Sequence, residues 1–223
     1  MVDIKQFVID YIEGKVDSKK FIETLKSDSS IVEWLQNIIP TGTTMFDYKF
    51  DECFRVIDKK EVPYDVNGVI NGILTQRGET ALGKEYNLHC YITRLIKNYL
   101  PMEKFTLDKA LETKVKFLLE ACPEYLDSLA IENSGIFENL MEQLPESMSK
   151  TKRIKEFRKR LKEMFYVEGQ KYPRWIQESE WPLSKTGKPT KFICQKSAQK
   201  GEVCYYYFLD MDTQEKIEIM QAY

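Results

Sequence analysis

The sequence predicts an α+β protein: a multi-helix N-terminal body with a small antiparallel β-sheet module at the C-terminus. Three observations predict it. Apolar residues recur at helical spacing in most segments up to residue 165. After Gly169 the chain turns aromatic and proline-punctuated. Two segments that read as strands then follow, Thr190–Lys196 and Val203–Leu209, separated by the hairpin-loop composition Ala198-Gln199-Lys200-Gly201. Residues 1–168 are therefore expected to form a helical body that ends in a basic amphipathic helix over 149–165. Residues 169–223 are expected to form a small β-rich module docked on it, because about fifty residues bury little core of their own.

The first forty residues read as three short helices. Ile4, Phe7, Val8, Tyr11 and Ile12 share one helical face, and Gly14 is the stop. Asp17 or Ser18 caps a second helix carrying Phe21, Ile22 and Leu25. Asp28, Ser29 or Ser30 caps a third with Ile31, Trp34, Leu35, Ile38 and Ile39, ending at Pro40-Thr41-Gly42. Residues 41–63 lack clean periodicity and are expected to be a loop with one short strand. Pro63 is expected to start a helix through Val66, Val69, Ile70, Ile73 and Leu74, weakened by Gly68 and Gly72. Leu82, Tyr86, His89, Ile92, Leu95, Ile96 and Tyr99 mark the strongest helix, which stops at Pro101.

Thr106 or Asp108 is expected to open the next helix, with Leu107, Leu111, Val115, Leu118 and Leu119 as its apolar stripe. A short helix over Ile136–Leu144 ends at Pro145. In the basic helix, Ile154, Phe157, Leu161 and Met164 form one narrow stripe and most other positions are Lys or Arg. Within the β module, Thr186-Gly187 is a turn signal. Val203–Leu209 is apolar on both alternating faces, which predicts a central strand. Ile217, Ile219 and Tyr223 alternate with Glu218 and Met220, as in a half-exposed strand.

The formal charge of −2 conceals an asymmetry. Residues 1–148 hold 17 basic and 25 acidic residues, a net −8, whereas residues 149–174 hold 10 basic and 3 acidic, a net +7. No apolar run approaches the roughly 18 residues needed to span a bilayer. The N-terminus carries acids where a signal peptide needs a basic region followed by an unbroken apolar stretch. Five scattered cysteines without a CxxC pair fit free thiols in a reducing compartment. A cytoplasmic location is expected, with no membrane contact.

Candidate chemistry is sparse. His89 is the single histidine, and any Ser-His-Asp or Cys-His system would have to use it. It lies on the apolar stripe of its helix, and the adjacent Cys90 points about 100° away. A buried structural histidine is the expectation. No cluster of His and Cys has zinc spacing. Lys185-Thr186-Gly187-Lys188-Pro189-Thr190 lacks the first glycine of a phosphate-binding loop, and Pro189 stands where Ser or Thr should meet magnesium. No cofactor, metal site or catalytic residue is expected. An enzyme working through carboxylates alone stays open as an alternative, and it requires an enclosed pocket with at least two buried acids.

Two clusters have both a functional and a structural reading. The basic helix could neutralise nucleic-acid phosphates, it could contact a partner protein, or it could be a solvated face lying against an acidic body. The aromatic cluster could supply interface anchors, or it could build the core of the β module. The candidate binding surface drawn from the two comprises Arg153, Arg158, Lys159, Arg174, Trp175, Trp181 and Tyr206.

The text Tyr172-Pro173-Arg174-Trp175-Ile176-Gln177, Trp181-Pro182, Gly187-Lys188-Pro189, Phe192-Ile193, Gln195 and Tyr206–Asp210 with Thr213 resembles a C-terminal module of small bacterial proteins. Some of these look like immunity proteins of polymorphic-toxin systems. Tyr11-Ile12-Glu13-Gly14-Lys15 through Trp34-Leu35 is similar to the start of the same proteins. The resemblance carries over no catalytic residue. It implies a small non-enzymatic binding protein, with an acidic body suited to neutralising a basic toxin domain. Another protein is thus the first partner expected, and nucleic acid on the basic helix is the second.

Overall fold

The computed structural model describes residues 3–44, 62–76, 79–126, 131, 134–168, 171–198 and 201–223. Among these residues there are eight α-helices, one short 3₁₀ turn and a three-stranded antiparallel sheet at the C-terminus, an α+β fold. The chain divides into two compact units. One comprises residues 1–76 and 84–111, the other residues 77–83 and 112–223. The basic helix and the sheet belong to the same unit, so the units part near residue 111.

The first unit is built by capped amphipathic helices: α1 (Ile4–Ile12), α2 (Ser18–Ser27), α3 (Ser29–Asn37), α4 (Val66–Thr75) and most of α5 (Ala81–Tyr99). Asp3, Asp17, Asp28 and Asp65 each accept a hydrogen bond from a backbone N–H of the first turn of the helix that follows. This satisfies donors that a helix start would otherwise leave unpaired. The cap of α4 is Asp65, because Pro63 is engaged in an antiparallel bridge with Thr44. The short strand expected within 41–63 falls largely on residues 45–61, outside the described residues.

The expected stripes form the core of this unit. Val8, Tyr11 and Ile12 of α1 meet Phe21, Leu25, Ile31 and Leu35, with Val69, Ile70, Ile92 and Ile96 completing the cluster. Tyr11 stacks on Phe21 with ring centroids 3.7 Å apart. Gly14 ends α1 with φ +76°, where a Cβ would come within 2.7 Å of Asp108 Oδ2. Only glycine fits such a turn cheaply.

His89 is buried, and its Nε2 lies 3.0 Å from the carbonyl oxygen of Ile12, the last residue of α1. The ring nitrogen donates to one of the carbonyls a helix end leaves open. Replacing His89 with alanine should destabilise this unit by about 1–3 kcal/mol, through the lost hydrogen bond to the Ile12 carbonyl, which keeps only Asp108 N, and the lost edge contact with Tyr11. Urea denaturation read by circular dichroism checks it. Unchanged stability would mean that the bond contributes nothing.

The second unit begins its packing with α6 (Ala110–Ala121). Asp108, the second of the two expected opening residues, caps this helix, and Thr106 lies before it with its N–H engaged elsewhere. Thr106 N donates to Glu13 Oε1, Asp108 N donates to Ile12 O, and Asp108 Oδ1 accepts from Ala110 N. Its buried face differs from the expected stripe: Phe117, Leu118 and Ala121 are buried, while Leu119 is 79% exposed. The Phe117 ring has partners that Leu119, two residues on and about 160° round the helix, would miss. Phe157 of α8 (Lys150–Met164) packs edge-on against Phe117 at 5.5 Å and against Phe137 of α7 (Ile136–Glu142) at 6.3 Å. Helix α8 buries Phe157 and Leu161, and Phe165 just beyond its end is fully buried. Met164 remains partly exposed.

The sheet comprises β1 (Lys191–Ala198), β2 (Val203–Leu209) and β3 (Lys216–Ala222), in the order β1-β2-β3. The doubly apolar β2 is central, as its composition requires. Phe192, Tyr206 and Phe208 lie on the inner side of the sheet. The chain between α8 and β1 covers them: Trp175 packs 4.4 Å from Tyr206, and Trp181 packs 5.3 Å from Phe208 and 5.4 Å from Phe165. The expected turn at Thr186-Gly187 is present, with Gly187 at φ +79° between bridged Leu183 and Pro189.

Candidate functional site

A cavity of about 490 Å³ opens beside β1, lined by Glu168, Lys171, Tyr172, Arg174 and the run from Phe192 to Gln195. Its floor is a β-bulge. Phe192 pairs with Phe208 and Cys194 with Tyr207, so Ile193 is an extra residue with no partner on β2. A bulge re-aims side chains and interrupts pairing. Here it turns Ile193 and Cys194 into the cavity wall and returns Gln195 to the inner face.

Both ends of the cavity are tied. At one end Val167 bridges Phe192, with Glu168 N donating to Phe192 O and Phe192 N to Tyr166 O. At the other, Arg174 N donates to Gln195 Oε1 at 2.7 Å. Between them the outer backbone edge of β1 has no ladder partner among the described residues.

The walls are held by a buried polar network. Tyr206 is fully buried; its hydroxyl donates to Arg174 O at 2.8 Å and accepts from Ile176 N at 3.0 Å. Burial pushes the Tyr206 pKa well above the usual tyrosine value, so this donor persists at alkaline pH. Gln221 of β3 accepts from Ile176 N and Gln177 N, and donates to Glu178 O. Tyr172 stacks on Tyr125 at 4.0 Å. The Tyr125 pKa is likewise raised, first by burial and then by its hydrogen bond with Tyr172. The carbonyl of Tyr125 in turn accepts from Trp175 Nε1 and Ser179 Oγ.

The electrostatics of the opening are asymmetric. Glu168 is paired with Lys191 at 2.9 Å. Lys171 and Arg174 are exposed, and neither side chain has an ion partner among the described residues. Two uncompensated cations beside apolar Ile193 and Tyr172 favour an anionic group on an apolar stem.

The residues that sequence reasoning nominated separate into different places. Trp181 and Tyr206 are core, each fully buried, and cannot meet a partner. Trp175 is half-buried with its indole N–H engaged. Arg153 lies with its guanidinium 5.1 Å over the Phe117 ring. Arg158 donates from Nε and Nη2 to the carbonyls of Ala121 and Glu120, closing the C-terminus of α6. Lys159 is exposed, 3.9 Å from Glu163. Arg174 alone among the seven lines the cavity. Sequence reasoning missed Lys171, Tyr172, Ile193, Cys194 and Gln195. The available signal was the cation-aromatic-proline-cation run at 171–174, together with the broken alternation at Ile193-Cys194.

Among the described residues no group of three His, Cys, Asp or Glu could hold a metal ion; Asp210 is the one acidic residue buried as a whole, and Glu138 buries its Oε2. Asp210 Oδ1 accepts from Asp212 N and Thr213 N, shaping the turn between β2 and β3. The two buried acids that a carboxylate-dependent enzyme would need are not brought together there. Among the described residues, no helix is long and apolar enough to cross a membrane. Comparison with protein-family models, with curated proteins and with solved structures returns no match for this chain.

Proposed function

We propose that this chain is a protein-binding protein whose cavity at the β1 bulge receives an acidic side chain from a partner polypeptide. The carrying observation is the pairing of a bulged strand edge with two cations, Lys171 and Arg174, edge and cations alike unpartnered among the described residues, on a wall fixed by Tyr206 and Gln221. An extended segment can meet the free backbone groups of the edge while its carboxylate reaches the cations. The preset wall lowers the ordering cost of binding. The resemblance of the 172–213 text to immunity proteins supports a toxin domain as the first partner to test.

The test is affinity capture from the source cells with the wild-type chain and with Lys171→Glu/Arg174→Glu, both shown to fold by circular dichroism. A partner held by the wild type and weakened at least tenfold by charge reversal is the expected result. An identical set of proteins on both chains would remove the cavity from the binding site. If the captured partner arrests growth when expressed alone, rescue by the wild type and not by the double variant is expected of an immunity protein. A partner with no effect on growth would remove the immunity reading and leave protein binding standing.

A further inference from the structure

Helix α8 sorts its cations by type. Each arginine has a structural partner: Arg153 lies over Phe117, Arg158 closes α6, and Arg160 Nε bonds Glu156 Oε1 at 3.0 Å. Lys150 pairs with Glu120. What is left is Lys152, Lys155, Lys159 and Lys162, all exposed. Lys152, Lys155 and Lys162 have no ion partner among the described residues, and Lys159 has only the long contact to Glu163. Steps of three, four and three residues place the four lysines within roughly an 80° arc, a stripe about 15 Å long. It lies on the side of the helix away from the buried Phe157 and Leu161.

We infer that this lysine stripe is a second binding surface, separate from the cavity, that docks on the phosphate backbone of a nucleic acid. The occupant follows from what the stripe has and lacks. Lysine is a flexible point charge, suited to a diffuse polyanion and depleted from protein interfaces. No aromatic or arginine anchor stands among the four, so the hot-spot residues of a protein contact are missing. A membrane-surface helix would expose a broad apolar face, and the large apolar side chains of α8 point inward apart from Met164. A row of charges at steps of about 5 Å instead matches a polyanion that carries charge at regular short intervals. Contacts of this kind read no sequence, so binding is non-specific.

The stripe is tested with the full chain, a fluorescent 20-base-pair DNA duplex of arbitrary sequence, and vesicles of phosphatidylserine and phosphatidylcholine. Four phosphate contacts give a slope of log affinity against log salt of about −3.6, an affinity loss of about 150-fold between 50 and 200 mM salt. Changing Lys152, Lys155, Lys159 and Lys162 to Gln should abolish duplex binding while leaving the unfolding transition in place, since none of the four supports the core. A control with Gln at Lys19, Lys20, Lys26 and Lys114, four exposed lysines elsewhere, should bind as the wild type does. The inference is overturned if the wild type fails to bind duplex at 50 mM salt, if the stripe variant binds it undiminished, or if only the vesicles are bound. The cavity variant Lys171→Glu/Arg174→Glu should keep all four stripe contacts, so this result and the protein-binding result fail independently.

Discussion

Replacing Trp181 with alanine should cost about 3–5 kcal/mol, the range for truncating a buried large aromatic side chain, and should unfold the sheet-bearing unit first. Trp181 is the largest fully buried side chain and stands where three parts of that unit meet. Phe165 arrives from the end of α8, Phe192 from β1 and Phe208 from β2, with ring centroids 5.4, 6.1 and 5.3 Å away. Its indole N–H also donates to the carbonyl of Thr190, a residue itself buried. Truncation therefore opens a cavity and orphans an acceptor together, two effects that rarely relax at one site. Trp181→Phe separates them. It keeps most of the packing and loses the hydrogen bond, so a smaller loss of about 1–3 kcal/mol is expected. Urea denaturation with hydrogen exchange checks both. Amides of β2 should lose protection in Trp181→Ala, and those of α1 should keep theirs. A Trp181→Ala chain as stable as the wild type would place the core of this unit elsewhere.

How far the fold could be read in advance depended on the range of the forces involved. Helices α1 to α3 follow from stripes and caps within a dozen residues of one another, so their text was sufficient. Central strand β2 was legible for a similar reason: a run apolar on both faces can be satisfied only between neighbours. Helix α6 was read less well. Val115 and Leu119 match the spacing as well as Phe117 and Leu118, and only Phe157, forty residues on, selects the aromatic face. The charge asymmetry shows the same limit. Residues 112–148 carry two basic and eight acidic residues, and they fold into the same unit as the basic helix that follows. The excess that seemed spread over the whole N-terminal body is largely local, and Lys150 with Glu120 is one product of it.

The candidate site was less legible than the fold. A bulge is one residue of mismatch between two strands and exists only once they pair, so the broken alternation at Ile193-Cys194 marks the place without fixing which residue is the extra one. The split within α8 was hidden too. Arg158 and Lys159 are exposed neighbours of the same charge, yet one closes a helix end and the other only reaches Glu163 at 3.9 Å. Arginine's planar fork suits two carbonyls at once, and lysine's single ammonium does not. Residue type carried the information, but its use required the position of the end of α6.

Replacing Gln221 with methionine, close to it in size, should destabilise the sheet-bearing unit by about 2–4 kcal/mol, because several backbone groups lose their partner at once. The Gln221 side chain is buried in β3, where it accepts from Ile176 N and Gln177 N, each at 3.1 Å, and donates to Glu178 O at 2.8 Å. Ile176 N retains Tyr206 as a second acceptor, whereas Gln177 N has no other acceptor among the described residues. An apolar side chain of similar volume preserves packing, so the loss isolates the hydrogen bonds. The consequence for the site is distinct from the consequence for stability. Tyr206 and Gln221 together hold the 174–178 segment, and with it Arg174 at the mouth of the cavity. At temperatures well below unfolding, Gln221→Met should therefore weaken partner binding through faster dissociation, with association little changed because Lys171 and Arg174 keep their charge. Tyr206→Phe should give a milder version of the same kinetic change, since it removes the donor to Arg174 O and leaves the ring in place. Unaltered dissociation in both variants would show that the wall need not be held for the cavity to bind.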